Sequence, residues 1–430
     1  MEKVDIITMG CSKNLVDSER LIRQFEAQGY LVEHDPADSK GDIVVINTCG
    51  FIGDAKEESI ETILDFAGAK KEGRISKLFV MGCLSERYLT QMGEELPEVD
   101  KFYGKFNWNE LITDLGHNYR PDLTNERSLT TPGHYAYLKI SEGCNRLCSY
   151  CAIPVITGKH ISRPVESLVE EARLLAGQGV KELQLIAQDL SYYGRDLYKK
   201  PMLAPLVEQL SEIEGIEWIR LHYAYPAGFP MDVLDVMARD PKVCAYMDIA
   251  LQHISDNMLK KMRRGVNRKQ SIDLIRKMRE KVPGIHLRTT MITGHPGETE
   301  ADFREMLDFV EATRFERLGV FPYSHEEDTY AWQHYTDDVP EEVKQERADR
   351  IMEVQNGISR ELNNKKTGQT MWVMIDRKED QYFVGRTEFD SPEVDPEVLI
   401  TPGQREPEVG KLVQVEITGA EDYDLYGELK

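Results

Sequence analysis

Long apolar runs are missing from this chain of 430 residues, and a leader segment is not expected. No apolar stretch approaches the roughly 18 residues that a membrane-spanning helix needs. The chain begins Met-Glu-Lys-Val-Asp, and this early acidity argues against a signal or transit peptide. With 41% hydrophobic and 30% charged residues, the composition predicts a globular protein without membrane contact. The length allows two or three domains with sizeable cores.

An even set of cysteines is also missing. The chain has seven, so they cannot all pair, and a complete disulfide framework is excluded. Free thiols that remain available to metals are typical of a reducing compartment. We therefore expect a cytoplasmic protein.

Positive charge is scarce. The formal net charge at pH 7 is −22, from 53 Lys and Arg against 75 Asp and Glu. Nucleic-acid-binding proteins normally show an excess of basic residues, so the balance favours a basic partner or a small substrate. A surface that is acidic only for solubility explains the same number equally well.

A fourth metal ligand is missing beside the most informative motif. Cys144, Cys148 and Cys151 form a C-x3-C-x2-C triplet in the run Gly-Cys-Asn-Arg-Leu-Cys-Ser-Tyr-Cys, with no other Cys or His nearby. A structural zinc site needs four protein ligands. Three thiolates can instead hold three corners of a [4Fe-4S] cluster and leave one iron open. The spacing resembles that of the radical S-adenosylmethionine (SAM) enzymes, whose open iron binds SAM.

Residues 1–122 alternate short apolar runs with amphipathic stretches. Each of three predicted strands is followed by a predicted helix, an order that gives a doubly wound parallel-sheet domain of the α/β class. The strands are predicted at Val4–Met9, Asp42–Asn47 and Leu78–Met81.

Three further cysteines, Cys11, Cys49 and Cys83, each follow one of these strands. The carboxyl ends of parallel strands share one edge of a sheet, where ligands bind. We therefore expect the three thiols to converge on a second cluster with an open iron. The alternative is that each is a small buried hydrophobic side chain, as free cysteines often are. The seventh, Cys244, fits neither set and is predicted to lie in the core.

After a polar linker at 123–134, residues 135–363 carry six more strand patterns with helical patterns between them. Six βα units favour a partial (β/α)6 TIM-like barrel, with its chemistry at the carboxyl ends of the strands. The cysteine triplet directly follows the first strand. The strands are predicted near Tyr135–Ile140, Glu182–Ala187, Glu217–Leu221, Tyr246–Ala250, His286–Ile292 and Arg317–Phe321.

Residues 364–430 change character, because short β-prone runs alternate with Gly and Pro turns. They predict a small antiparallel β-barrel. Residues 365–430 hold 8 Lys and Arg against 15 Asp and Glu, a net charge of −7, with five carboxylates between residues 388 and 397. Such a surface repels phosphate and attracts basic proteins. We therefore expect this tail to dock a basic protein substrate.

The whole chain resembles the methylthiotransferases, a family of radical SAM enzymes with a TRAM-like C-terminal domain. The resemblance rests on both cysteine sets and on the runs Gly10–Glu19 (Gly-Cys-Ser-Lys-Asn-Leu-Val-Asp-Ser-Glu), Ile46–Phe51 and Gly82–Leu84. Gly10–Glu19 and Leu185–Gly194 are closer to the branch that modifies an aspartate of a ribosomal protein than to the branch that acts on adenosine in tRNA. One departure is Asp328, where the family often has Gly.

This resemblance implies SAM and two [4Fe-4S] clusters, one on each cysteine triplet. It implies that the catalytic cluster on the barrel triplet generates a radical from SAM, and that the other cluster carries sulfur for insertion at a C–H bond. The implied substrate is the β-carbon of an aspartate in the basic small-subunit ribosomal protein number twelve. The implied electron donor is of the flavodoxin or ferredoxin type.

Several residues at predicted strand ends are candidates for contacting SAM. Gln188 and Asp189 are expected to contact its amino or ribose groups, with loop capping as the alternative. Arg163 is expected to meet its carboxylate, with an ordinary ion pair as the alternative. Gln252 and Gly294 also match barrel motifs, and a glycine would let the backbone approach the adenine.

Two other functions remain open from the sequence. One is methylthiolation of adenosine in tRNA, against which the acidic tail argues. The other is a non-catalytic iron or zinc protein that uses its tail as an RNA- or protein-binding module.

Overall fold

The computed structural model describes residues 2–403 and 406–430 and arranges them as two parallel sheets and a closed five-stranded barrel. The predicted fold class is therefore confirmed. No helix in the described part of the chain is long and apolar enough to cross a bilayer.

The first sheet is parallel, with the strand order β2-β1-β3-β4-β5. Alternate side chains of its central strand enter two separate apolar clusters: Val45 packs in one, Val44 and Ile46 in the other. Helices thus cover both faces, as predicted. The elements are β1 (Lys3–Thr8), α1 (Ser12–Ala27), β2 (Leu31–His34), β3 (Ile43–Thr48), α2 (Gly53–Lys71), β4 (Lys77–Gly82), α3 (Cys83–Glu95), β5 (Lys101–Phe102) and α4 (Asn109–Asp114).

The second sheet is an open parallel sheet of six strands in the order β13-β12-β11-β10-β9-β6, and all six predicted strands are present. Its strands are β6 (Tyr135–Lys139), β9 (Glu182–Ile186), β10 (Trp218–Ala224), β11 (Val243–Ile249), β12 (His286–Thr293) and β13 (Arg317–Pro322), and a short ribbon adds β7 (Ser141–Glu142) and β8 (Ile161–Ser162). Its helices are α5 (Ile153–Thr157), α6 (Val165–Gly177), α7 (Leu203–Ser211), α8 (Asp232–Arg239), α9 (Asp256–Lys261), α10 (Arg268–Lys281), α11 (Glu300–Thr313), α12 (Tyr330–His334) and α13 (Glu341–Asn364).

Side chains alternate along these strands between two environments. On β6, Ala136 and Leu138 join the large apolar cluster beneath the helices. Tyr135, Tyr137 and Lys139 point to the opposite face, because successive strand residues alternate. That face carries many buried polar side chains, and the other two domains pack against it through contacts with them.

The C-terminal domain is a closed barrel in the order β14-β15-β16-β18-β17, in which only the β16–β18 pair is parallel. Its core is a separate apolar cluster that includes Val373, Phe383 and Ile417. The strands are β14 (Thr370–Glu379), β15 (Tyr382–Thr387), β16 (Val398–Thr401), β17 (Leu412–Ala420) and β18 (Leu425–Leu429).

The acidic stretch at 388–397 is not the open docking surface that its charge predicted. The carboxylate of Asp395 pairs with Arg288 of β12 at 3.3 Å, and that of Asp390 with Arg317 of β13. Both aspartate side chains are only 2% exposed. Glu393 accepts hydrogen bonds from two tyrosine hydroxyls of β6, at 2.9 and 3.0 Å. These carboxylates attach the C-terminal domain to the six-stranded parallel sheet, because arginines on the polar face of that sheet form ion pairs with them.

In the loop after β13, Asp328 stands where the resemblance implies glycine. Asp328 has a φ of +62°, in the left-handed region that most side chains avoid. Aspartate tolerates this region better than most residues, so the turn forms without the glycine.

Candidate active site

The barrel triplet lies in the loop between β7 and α5. Cys144 and Cys148 are 9% and 7% exposed, and all seven cysteines of the chain are free thiols. Burial raises the pKa of Cys144 to about 11 and that of Cys151 further, and the charge of Cys148 adds to both shifts. The three sulfurs therefore lie within electrostatic range of one another. Ionisation of Cys144 and Cys151 is disfavoured until a cation binds, as expected for thiolate ligands.

One buried arginine contacts this triplet from a distant part of the chain. Arg264 follows α9, is 2% exposed, and its Nη1 donates to Cys148 Sγ at 3.1 Å and to the Tyr150 hydroxyl at 2.8 Å. The hydroxyl of Tyr225 lies 3.6 Å from the same sulfur. These partners fix the orientation of Cys148 and place a positive charge beside its sulfur.

The N-terminal triplet is assembled from the carboxyl ends of three neighbouring strands, β1, β3 and β4. Burial raises the pKa of Cys83 to about 12 and also raises that of Cys49, and a charge on Cys11 adds to both shifts. Cys11 is exposed. Enough protein surrounds its thiol that desolvation opposes ionisation, yet the charges of Lys13 and Lys105 lower its pKa.

A buried lysine connects the two triplets. Lys105 Nζ lies 3.9 Å from Cys83 Sγ, 3.4 Å from an oxygen of Asp17 and 3.8 Å from an oxygen of Glu142. Glu142 stands two residues before Cys144. The two cysteine sets therefore face each other across one ion cluster between the first domain and the barrel.

The donor chemistry suits clusters better than single ions. In residues 2–403 and 406–430, no three His, Cys, Asp or Glu side chains are grouped closely enough to hold one metal ion. Two thiolates on a single zinc lie at most about 4.6 Å apart, twice a Zn–S bond. In a [4Fe-4S] cluster each thiolate binds a different iron, so a set of three thiolates suits that group.

Two of the predicted SAM contacts end in unsatisfied acceptors. The side-chain oxygens of Gln188 and Gln252 are buried and have no hydrogen-bond partner among the described residues. The amide nitrogen of Gln188 donates to Glu142, close to the barrel triplet. Gln252 has a φ of +72° and joins the ends of β11 and β12 through its backbone. Since buried acceptors normally find donors, these oxygens suit an ammonium or hydroxyl group of a ligand.

Asp189 caps a loop, which was the alternative to its predicted contact with SAM. Its Oδ1 accepts from the Ser191 backbone N–H at 2.9 Å, at the start of a short helical turn. Its Oδ2 accepts from Arg146 Nε at 2.8 Å. Arg146 belongs to the triplet loop itself, so Asp189 orients that loop.

Arg163 and Gly294 make contacts that differ from those expected. Arg163 pairs with Glu171 of α6 at 2.6 Å and donates to the Lys139 carbonyl, so the geometry gives no support to a contact with the SAM carboxylate. A Cβ at Gly294 would lie 2.1 Å from Lys344 Cγ. The close approach that this glycine permits is therefore to α13 rather than to an adenine.

Cys244 lies where it was expected, 1% exposed in an apolar cluster with Trp218 and Met374. Several site residues were missed. Glu142 and Arg146 lie beside or within the triplet run and could have been found there. Lys105 is 22 residues from Cys83 and Arg264 is 116 residues from Cys148, and no local motif marks either of them.

Comparison with known proteins identifies three regions. Residues 138–310 match the Radical SAM superfamily, residues 3–104 match the Uncharacterized protein family UPF0004, and residues 367–429 match the TRAM domain. Curated relatives named ribosomal protein uS12 methylthiotransferase RimO match the full length. The protein of Bacteroides thetaiotaomicron is 63% identical over 428 residues, covering 100% of this chain and 98% of the relative.

The chain belongs to the RimO family of ribosomal protein uS12 methylthiotransferases. A second member, from Parabacteroides distasonis, is 61% identical and covers 99% of both chains, and a third, from Cytophaga hutchinsonii, is 54% identical over 99% of this chain and 98% of its own. The predicted family resemblance is confirmed.

Solved structures of radical SAM enzymes share the fold. The radical SAM methyltransferase TsrM of Kitasatospora setae superposes with a TM-score of 0.54 at 15% identity, over 75% of each chain. OxsB, a cobalamin-dependent radical SAM enzyme, gives 0.54 at 15% identity, over 82% of this chain and 56% of its own. At such identities the likeness extends to the fold alone.

Proposed function

We propose that this RimO-family protein adds a methylthio group to the β-carbon of an aspartate in ribosomal protein uS12. The observation that carries the proposal is the pair of three-cysteine sites joined by the ion cluster of Lys105, Asp17 and Glu142. Sulfur insertion into an unactivated C–H bond needs one site that starts the reaction and one that supplies sulfur. A chain with a single triplet would offer only the first.

Each triplet has its own task in this proposal. Cys144, Cys148 and Cys151 hold the [4Fe-4S] cluster that binds SAM, and the N-terminal triplet holds the second cluster. When bound, SAM would supply the radical that removes a hydrogen atom and also the methyl group, and the second cluster would supply the sulfur. The protein holds Cys148 in place through Arg264 and excludes water from the largely buried loop.

The chain's own side chains also provide a place for SAM. The unsatisfied oxygens of Gln188 and Gln252 accept hydrogen bonds from its polar groups. This assignment keeps the two glutamines of the predicted set.

We further propose that three parts, 1–122, 135–363 and 364–430, divide the labour. The regions that match known families, 3–104, 138–310 and 367–429, fall within them. The first part carries the sulfur-supplying site and the second the radical site. The third is fixed to the barrel by its acidic stretch and completes the surface that meets uS12.

A net charge of −22 favours encounter with a basic protein over nucleic acid. The radical site takes its electron from an outside donor, for which we propose a protein of the flavodoxin or ferredoxin type. Association with uS12 should weaken as salt rises, since charge steering is screened.

The test is anaerobic reconstitution of the full chain with iron and sulfide, followed by incubation with uS12, SAM and a reductant. Mass spectrometry should find one methylthio group on one aspartate of uS12 and no modified adenosine in tRNA from the same reaction. Modified tRNA with unmodified uS12 would overturn the proposal, and so would binding of a single zinc ion without SAM cleavage.

A further inference from the structure

Lys13 is a buried lysine at the junction of the two cysteine sites. It lies in the first turn of α1, two residues after Cys11, and is 8% exposed. Its Nζ sits 3.3 Å from the ring centroid of Tyr223, near the carboxyl end of β10 in the barrel. The lysine therefore reaches from the N-terminal cluster site to the polar face of the barrel.

The other lysines and the loop arginine of this region have carboxylate partners. Lys105 lies 3.4 Å from Asp17, Lys139 lies 2.8 Å from Glu142, and Arg146 lies 2.8 Å from Asp189. Within residues 2–403 and 406–430, no carboxylate lies within ion-pair distance of Lys13 Nζ, and the ammonium donates no hydrogen bond. A tyrosine ring attracts a cation but brings no negative charge to balance it.

The charged groups that face Lys13 from the barrel are engaged elsewhere. Asp248 of β11 is held by Arg288 at 3.6 Å and by the backbone N–H of Tyr223 at 3.2 Å. Tyr223 has a φ of +62° and is 37% exposed. Strained backbone of this kind is concentrated at binding sites. A lysine ammonium that lies over a partly exposed aromatic ring on a strained segment is suited to receiving an anion.

We propose that Lys13 binds the side-chain carboxylate of the substrate aspartate and so positions its β-carbon between the two cysteine sites. The inference rests on the proposed function and names a positioning residue within it. Lys13 is largely buried, so its ammonium is only partly hydrated, and the incoming carboxylate supplies the ionic partner that it lacks. Lys13 thereby distinguishes aspartate from neutral side chains of the same size.

The rival explanation is that Lys13 only balances the negative charge of the N-terminal cluster. Lys105 already stands 3.9 Å from Cys83 and takes part in that balance. The two explanations differ in what a neutral variant loses. A positioning residue loses preference for aspartate, whereas a balancing residue loses the cluster.

The experiment measures binding of uS12 to reconstituted holoenzyme with SAM and without reductant, so that no turnover occurs. Two forms of uS12 are compared, with Asp or Asn at the modified position. The native enzyme should bind the Asp form about 100-fold more tightly, the scale expected when a buried charge loses its partner. Lys13→Met should bind both forms equally, while Lys13→Arg should keep most of the preference.

Lys40→Met, a change of the same charge at a 73% exposed lysine of the same domain, should keep the preference unchanged. Lys13→Gln repeats the test should Lys13→Met yield no folded holoenzyme. Undiminished preference for Asp in the neutral variants would overturn the inference, as would loss of the N-terminal cluster from them. If the native enzyme binds both forms equally, the inference also falls. The proposed function fails separately, when native enzyme with reductant leaves uS12 unmodified.

Discussion

The two cysteine triplets reach one interface by different routes. The barrel triplet is contained in the nine residues from Gly143 to Cys151, and one distant arginine braces it. The N-terminal triplet is spread over 73 residues, from Cys11 to Cys83, and exists only because β1, β3 and β4 are neighbours in the sheet. The first depends on a local loop and the second on the topology of a whole domain. Damage to one should therefore leave the other largely intact.

Removing one ligand from each site gives the largest contrast. Cys148→Ala should abolish SAM cleavage, because the cluster loses a corner beside its open iron. Cys49→Ala should leave SAM cleavage largely intact and abolish methylthiolation. Chromatography of 5′-deoxyadenosine and mass spectrometry of uS12 measure the two outcomes.

Cys244→Ala is the matched control, since that thiol is buried outside both sets and should affect neither product. Equal loss of both products in the Cys148 and Cys49 variants would contradict the separation of tasks.

A glycine substitution tests the dependence on topology without touching a ligand. Gly82 has a φ of +103°, and a Cβ there would lie 2.5 Å from Asn47 Oδ1 and 2.6 Å from the Thr48 carbonyl. Gly82→Ala must therefore shift the ends of β3 and β4, which carry Cys49 and Cys83. Iron analysis should find about half the native iron, with SAM cleavage retained, because only one of two similar clusters is lost.

Gly29→Ala serves as its control. Gly29 also has a positive φ, +88°, but no atom lies within 4 Å of the added Cβ. This variant should lose about 1 kcal/mol of stability and no iron. Full iron content in Gly82→Ala would show that the N-terminal site does not depend on these strand ends.

The hydrogen bond from Arg264 to Cys148 should have a smaller effect on SAM cleavage than the ligands themselves. Arg264→Gln removes the charged donor to Cys148 Sγ, and a hydrogen bond to a ligand sulfur stabilises the reduced cluster. The reduction potential should fall, and SAM cleavage should slow by about 10–100-fold. Arg263→Gln changes the exposed neighbour and should alter neither. An unchanged reduction potential in Arg264→Gln would show that Arg264 does not tune the cluster on the barrel triplet.

The ion pair of Arg20 and Glu171, between the N-terminal domain and the parallel sheet, should affect the stability of the fold rather than the catalytic reaction. Burial alone would raise the pKa of Glu171, but the charges of Arg163, Arg20 and Arg127 lower it to about 2. Arg20 lies on α1 and Glu171 on α6, so this pairing joins the N-terminal domain to the barrel. The lowered pKa stabilises the folded state above the ordinary value of 4.5, and this contribution is lost as the pH falls through about 2.

Glu171→Gln should accordingly lower the free energy of unfolding by ~3 kcal/mol at pH 7. The difference from the native chain should shrink between pH 4.5 and pH 2. Denaturant titration of the cluster-free protein measures it, with Glu166→Gln, exposed on the same helix, as the control. A difference that stays constant over this range would show that the Glu171 charge is not the cause.

Much of the fold was readable because the strands carry strong local signals. The six barrel strands are continuous apolar runs or alternate regularly, and all were predicted. Leu31–His34 was missed because it is an edge strand whose side chains stay half-buried or exposed. Val398–Thr401 and Leu425–Leu429 carry weak local signals, because each is short and gains its apolar contacts only when the small barrel closes.

The site was readable to the extent that its residues lie at strand ends or in one loop. Direction in space was not. The negative charge of residues 388–397 is plain from the sequence. No local pattern indicates that Arg288 and Arg317 of the parallel sheet form ion pairs with it. Arg163 was chosen for its place after the triplet loop, yet its partner Glu171 is fixed by helix packing.

The most direct test that each triplet holds its own cluster is Mössbauer spectroscopy, with iron analysis. It compares the reconstituted chain with two variants in each of which one triplet is replaced by alanine. Two separate clusters require about eight irons in the native chain and about four in each variant. Addition of SAM should change the spectrum only where Cys144, Cys148 and Cys151 remain. Four irons in the native chain, or a SAM-dependent change that survives the loss of the barrel triplet, would contradict the assignment of one cluster to each triplet.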